Sequence, residues 1–242
     1  MFVSINGNAI AEYTTSGATV NSSLISGLQL PYDMAMSGSN LFVLSIYSGT
    51  IGEYTTSGAI INASLITGLP ETSFPQGMAI SGSNIFTLNN PNGNSTNGTI
   101  SEYTTSGTLV NTSLISGLNN PTSFAISGSD IFVTQGGTGV VSEYTTSGTL
   151  VNASLITGLN LPYEITTSGS TLLFVDISPG SNEVIKEYTT SGTLINASLI
   201  SNLVNPSGIL VVAAPEPSTW VMLLGSLGLL AFWTMRNRKA LP

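Results

Sequence analysis

Cysteine and histidine are both absent from this 242-residue chain. Without cysteine there are no disulfides, no thiolate metal sites and no thiol nucleophile. Without histidine, the commonest general base and the commonest metal ligand are missing. Charge is scarce as well: 7% of residues are charged, and residues 1–214 hold eleven acids against a single base, Lys186. The other bases, Arg236, Arg238 and Lys239, fall in the last seven residues. An acidic region almost free of Arg has nothing with which to neutralise phosphates, so nucleic acid is not an expected partner. Little charge with many hydroxyls and amides suits a protein that works outside the cytoplasm.

What the chain has in excess is repetition. The pentapeptide YTTSG starts at Tyr13, Tyr54, Tyr103, Tyr144 and Tyr188, each time preceded by Glu (Glu12, Glu53, Glu102, Glu143, Glu187). The spacings are 41, 49, 41 and 44 residues, the length of one four-stranded propeller blade. Each copy continues into xxxNxSLIxxL, a Pro, and a variant of xAISGSxxFV. In the unit Pro31–Leu69, four short apolar or β-branched runs are separated by Gly38-Ser39, Ser48-Gly49 and Thr56-Ser57-Gly58. Such runs bounded by turn residues read as antiparallel strands. Units begin near residues 31, 75, 121 and 162. A terminal half-blade at 204–214 is expected to pair with residues 1–30, closing a ring and removing exposed sheet edges. The expected fold is therefore all-β, a propeller of about five four-stranded blades over residues 1–214. A β-solenoid is the alternative, but its rungs are shorter than this period.

Within the unit, Phe2, Phe42, Phe86, Phe132 and Phe174 align, and inter-blade packing is their expected role. The Tyr of EYTTSG reads as structural, and the aligned Glu is expected on the solvated side of an alternating strand. Sites of the form NxS or NxT occur at Asn21, Asn62, Asn94, Asn97, Asn111, Asn152 and Asn196. Five of these are one repeat position just after a strand, so this Asn reads as a turn former.

Variation is concentrated in the loops leading into each first strand and in those joining the second and third strands. The former follow Pro31, Pro75, Pro121, Pro162 and Pro206; the latter swell at Asn89–Gly98 and Asp176–Glu183. Variable loops on a fixed scaffold are where a ligand site is expected. Tyr32 and Tyr163 are candidates to stack on sugar rings, with Asp33 and Glu164 accepting from hydroxyls. The residues expected to ring the channel, Met34, Met78, Phe124, Ile165 and Ile209, are apolar. No cofactor and no metal site are expected.

Residues 215–242 differ abruptly. Pro215-Glu216-Pro217 leads into Thr219–Met235, seventeen residues without a charge. As a helix that segment spans roughly 26 Å, enough for a thin bilayer core. Trp220 and Trp233 lie near its ends, and Arg236, Arg238 and Lys239 follow. Basic flanks stay cytoplasmic, so a single transmembrane helix with the propeller outside is expected.

The stretch PEPSTWVMLLGSLGLLAFWTMRNRK (215–239) resembles the PEP-CTERM sorting signal of Gram-negative bacteria. The resemblance implies recognition by an exosortase, with Pro215, Glu216 and Pro217 as the sorting motif and cleavage nearby. It implies a membrane-anchored precursor, release to the cell surface or matrix, and an exopolysaccharide context. The repeat unit itself is similar to NHL-type propellers. Proteins with this signal normally begin with a secretory signal peptide. Met1–Gly17 reads instead as a blade strand, and the natural start is expected upstream. The expected function is a non-enzymatic surface or matrix propeller that binds exopolysaccharide or another envelope component. The alternative is an extracellular hydrolase or lyase with a carboxylate-bound metal in the channel.

Overall fold

The computed structural model describes residues 1–5, 7–14, 16–69, 75–90, 96–177 and 183–203. The chain divides into two compact units, Met1–Ile209 and Leu210–Pro242, and the described residues belong to the first. The half-blade at 204–214, the motif Pro215–Pro217 and the apolar segment 219–235 lie outside the described residues.

Among the described residues nineteen strands form five antiparallel sheets, an all-β five-blade propeller. The first blade contains β1 (Phe2–Ile5), β2 (Ala9–Tyr13) and β3 (Thr19–Ser26). The second contains β4 (Pro31–Ser37), β5 (Asn40–Ser45), β6 (Thr50–Thr55) and β7 (Ile60–Ile66). The third contains β8 (Pro75–Ser81), β9 (Asn84–Asn89), β10 (Gly98–Thr104) and β11 (Leu109–Leu118). The fourth contains β12 (Pro121–Ser127), β13 (Asp130–Gln135), β14 (Val140–Thr145) and β15 (Leu150–Ile156). The fifth contains β16 (Pro162–Ser168), β17 (Thr171–Asp176), β18 (Glu183–Thr189) and β19 (Leu194–Leu203). Strands within each sheet follow chain order. The first sheet has three strands among the described residues; the other four have four each.

The inner strands β4, β8, β12 and β16 contact one another in sequence around the centre. Each is an edge strand of its sheet, which tolerates the Pro at its start because a missing N–H there breaks no ladder bond. The second strands are covered on both faces, hence their nearly continuous apolar runs such as Leu41–Leu44. The outer strands are mostly exposed, with one fully buried Ile near the end of each of the first four: Ile25, Ile66, Ile115 and Ile156.

The repeated motifs have direct structural roles. The Thr that follows each Tyr of YTTSG accepts the N–H four residues on, as in Thr55 Oγ1 from Ala59 at 3.0 Å, and bonds Ser57 at 2.8 Å. The turn glycine has φ near +85°. It also presses on the preceding blade: a methyl added at Gly58, Gly107, Gly148 or Gly192 would overlap the backbone carbonyl oxygen of Leu24, Leu65, Leu114 or Leu155. Only Gly meets both demands. The repeated Asn is a turn former as expected: Asn21, Asn62, Asn111, Asn152 and Asn196 each accept the N–H of the Ser two residues on, at 2.9–3.1 Å. Those turns sit where the outer-strand register shifts, and such bulges discourage edge-to-edge pairing between molecules.

Two expectations are corrected. The aligned Glu is not on a solvated face: it is half-buried in four blades and buried at Glu102. It pairs across the sheet with the buried Phe (Phe42↔Glu53, Phe86↔Glu102) and is satisfied there by an Asn, with Asn40 and Asn84 donating to Glu53 and Glu102 at 2.7 Å. Phe174 does not occupy the common Phe position. Leu173 pairs with Glu187 in its place, and Phe174 pairs with Lys186. A one-residue displacement turns a strand residue to the other face. Phe174 accordingly stacks on Tyr188, centroids 5.4 Å apart, in the core shared with the fourth blade. Phe42, Phe86 and Phe132 pack toward the blade that follows theirs.

Candidate functional site at the channel mouth

Each inner strand carries one extra residue just after its Pro. The register shifts between Pro31/Asp33, Pro75/Gly77, Pro121/Ser123 and Pro162/Ile165. Bulges re-aim side chains. Here they direct the second residue after each Pro, namely Asp33, Gly77, Ser123 and Glu164, toward a central cavity of about 590 Å³. Tyr32 and Tyr163, one position earlier, also line it, with Thr166 and Thr167 from β16. The four candidate ligand residues, Tyr32, Asp33, Tyr163 and Glu164, are thus brought together from two blades that are far apart in the chain. The apolar residues expected to ring the channel are mainly interblade core: Met78, Phe124 and Ile165 touch the cavity from buried clusters, and Met34 packs toward the first blade. Ile209 lies outside the described residues.

The two acids sit in different hydrogen-bond settings. Asp33 accepts from the backbone N–H of Met34 and of Met78 in the next blade, both at 2.7 Å. Gly77 lies beside this carboxylate, where an added Cβ would be 3.7 Å from Asp33 Oδ2, an ordinary contact. Burial still raises the Asp33 carboxyl above its ordinary range, with the two N–H bonds opposing. Glu164 leans on the Ser123 side chain. Burial, then the charge of Asp33, pushes it up to about 7, with the Ser123 bond opposing. Tyr32 shares a hydrogen bond with Tyr163. Its phenol is pushed up to about 12 by burial first, then by Tyr163 and the two acids. Tyr32 as a whole residue remains about half exposed at the mouth.

The sole base of the described residues is engaged elsewhere. Lys186 pairs with the buried Asp176 at 2.6 Å, and Asp176 also accepts from the N–H of Asn160 and Leu161. No described cation therefore faces Asp33 and Glu164. Among the described residues no group of three or more acids capable of holding a metal is present. Sequence reasoning missed Ser123 and Gly77; their place in the alignment, two residues after the Pro, is the signal that marks them.

The C-terminal stretch matches the family model of the PEP-CTERM protein-sorting motif over residues 213–239. The chain carries a PEP-CTERM sorting signal. That signal implies exosortase processing of a membrane-anchored precursor into a cell-surface protein, with the propeller as its folded part. No curated protein matches the chain in sequence. Solved propellers resemble the fold. One is in the crystal structure of a nidogen/laminin complex (16% identity, 78% of this chain and 70% of the other, TM-score 0.60). Another is a gluconolactonase from Xanthomonas campestris (12%, 84% and 71%, TM-score 0.63). A third is virginiamycin B lyase from Staphylococcus aureus (20%, 84% and 67%, TM-score 0.58). At these identities the likeness shows the fold alone, and the expected β-propeller holds at that level.

Proposed function

We propose that this is a non-enzymatic surface propeller whose channel mouth binds a segment of exopolysaccharide or another hydroxyl-rich envelope component. The observation that carries the reading is the convergence of two tyrosines and two carboxyls on one cavity, in a chain with a sorting signal for the cell surface. Aromatic faces suit the apolar faces of sugar rings. Asp33 and Glu164 accept from hydroxyls, and Glu164, raised to about 7, also donates while it keeps its proton. A pocket of this size holds two or three sugar units, and few fixed polar groups orient them.

The test is calorimetric titration with exopolysaccharide fragments from the native host. Binding is expected to weaken by about tenfold or more in Tyr32→Ala and Tyr163→Ala, the loss of roughly 1.4 kcal/mol each. Unchanged affinity in both variants would remove the mouth from consideration.

One observation favours a second reading, an extracellular hydrolase or lyase. A carboxyl group near 7 beside a second carboxyl is suited to general acid–base work at neutral pH. Turnover of the bound fragments, lost in Glu164→Gln with binding retained, would select that reading.

A further inference from the structure

In three blades a polar bridge of side chains starts at the end of the second strand. In the fourth blade Gln135 accepts the N–H of Asn119, in the connection from the preceding blade, at 2.7 Å. Gln135 also donates to Ser142, whose hydroxyl donates to the carbonyl of Ala153 at 2.8 Å. In the third blade Asn89 donates to Ser101 at 3.0 Å, and Ser101 donates to the carbonyl of Thr112 at 2.7 Å. In the fifth, Asp176 accepts the N–H of Asn160 and holds Lys186.

The second blade lacks both parts of this bridge. Ser45 ends β5 where the other blades have Asn89, Gln135 and Asp176. Gly52 precedes the aligned Glu where they have Ser101, Ser142 and Lys186. A cavity of about 220 Å³ lies there. Ser45, Gly52 and Tyr54 are its buried floor; Gln29, Ala63 and Ser64 are its exposed rim. By sequence, Gln29 is the counterpart of Asn119 and Asn160, and Ala63 that of Thr112 and Ala153. The Gln29 N–H is therefore left without the acceptor that Gln135 or Asp176 supplies, and the Ala63 carbonyl without a serine donor. None of the lining residues is charged.

We propose that this cleft between the first and second blades is a second binding site, for a neutral sugar unit that bears an acetamido group. It shares no lining residue with the channel mouth. The missing side chains specify the chemistry, a carboxamide next to a hydroxyl. An acetamido carbonyl accepts the Gln29 N–H as Gln135 accepts that of Asn119. A neighbouring hydroxyl donates to the Ala63 carbonyl as Ser142 donates to that of Ala153. Tyr54 leans over Gly52, where an added Cβ would lie 2.8 Å from its hydroxyl oxygen, and offers the sugar an aromatic wall. An uncharged lining has no counter-charge for an acidic or amino sugar. The cavity is smaller than the roughly 300–1,000 Å³ of sites for drug-sized ligands, which suits one sugar unit.

Isotope-labelled full-length protein in detergent is titrated with N-acetylglucosamine and, separately, with glucose, and the backbone amide signals are followed by NMR. The Gln29 signal is expected to move with N-acetylglucosamine. Glucose, which lacks the carbonyl acceptor, is expected to bind about tenfold or more weakly. The pair Ser45→Gln, Gly52→Ser installs the bridge of the fourth blade and is expected to weaken N-acetylglucosamine binding by about tenfold or more. Ser45→Gln alone, which leaves Gly52 and Tyr54 in place, is expected to weaken it as well. Unaltered melting of both variants checks that the fold is retained. A Gln29 signal that does not move means that the cavity holds water only, and overturns the proposal whatever the variants do. Movement confined to Ser123 and Glu164 at the channel mouth, or equal affinity for the two sugars, overturns it too.

Discussion

Thr87 holds a strand position that is Val43, Val133 or Phe174 in the other four-stranded blades, as the pairing with Met78, Met34, Phe124 and Ile165 establishes. It is fully buried and its hydroxyl has no hydrogen-bond partner among the described residues. A buried polar group without a hydrogen bond is destabilising, and an isosteric apolar replacement removes that penalty. Thr87→Val is expected to raise the unfolding free energy by roughly 1–3 kcal/mol, read from the midpoint of a denaturant titration. A second residue departs from its repeat in the opposite way. Asp130 stands where Asn40 and Asn84 donate to the aligned Glu. In the fourth blade a second carboxyl group therefore lies beside Glu143, whose carboxyl is raised by burial and then by Asp130. Asp130→Asn restores the donor, and a gain of about 1 kcal/mol is expected by the same measurement.

At the scale of the element, the YTTSG turn is invariant because it serves two purposes, a left-handed residue and a close approach to the preceding blade. The two can be separated. Gly148→Ala meets both a φ of +84° and the carbonyl of Leu114, whereas Gly17→Ala meets only a φ of +86°. The first is expected to lower stability by about 2–4 kcal/mol and the second by about 1 kcal/mol, compared by thermal unfolding. Equal losses would mean that the turn conformation alone explains the motif. The inner strand shows the complementary case. Its sequence varies after the Pro, and its bulge converts that variation into different groups at one mouth.

For the molecule as a whole, pH is the readable variable. Glu164 is raised to about 7, and Asp33 and Glu143 are also raised. Each folded-state value lies above the unfolded one, so the folded protein holds protons that the unfolded chain releases. This contribution is fully present below the unfolded carboxylate range, near 4.5, and is lost as pH rises to about 7. The protein is therefore expected to melt at a higher temperature at pH 5 than at pH 7.5, with Glu164 accounting for on the order of 3 kcal/mol. Glu164→Gln should flatten most of that dependence. A melting temperature that rises from pH 5 to 7.5 would contradict the buried, proton-holding arrangement at the mouth.

Much of this protein is legible in the chain itself. The 41-residue period, the turn glycines and the alternating runs determine a propeller blade, because strand length, turn chemistry and spacing are local properties. The sorting signal is likewise a linear pattern read without a fold. The pairing of Tyr32 and Asp33 with Tyr163 and Glu164 was legible only as two similar loops; their meeting depends on ring geometry, which brings residues 131 positions apart to one cavity. Tertiary structure alone decided the one-residue displacement of Phe174 and the burial of the aligned Glu. Register and interblade contact depend on what lies across the sheet and on the next blade, and a repeat alignment holds neither.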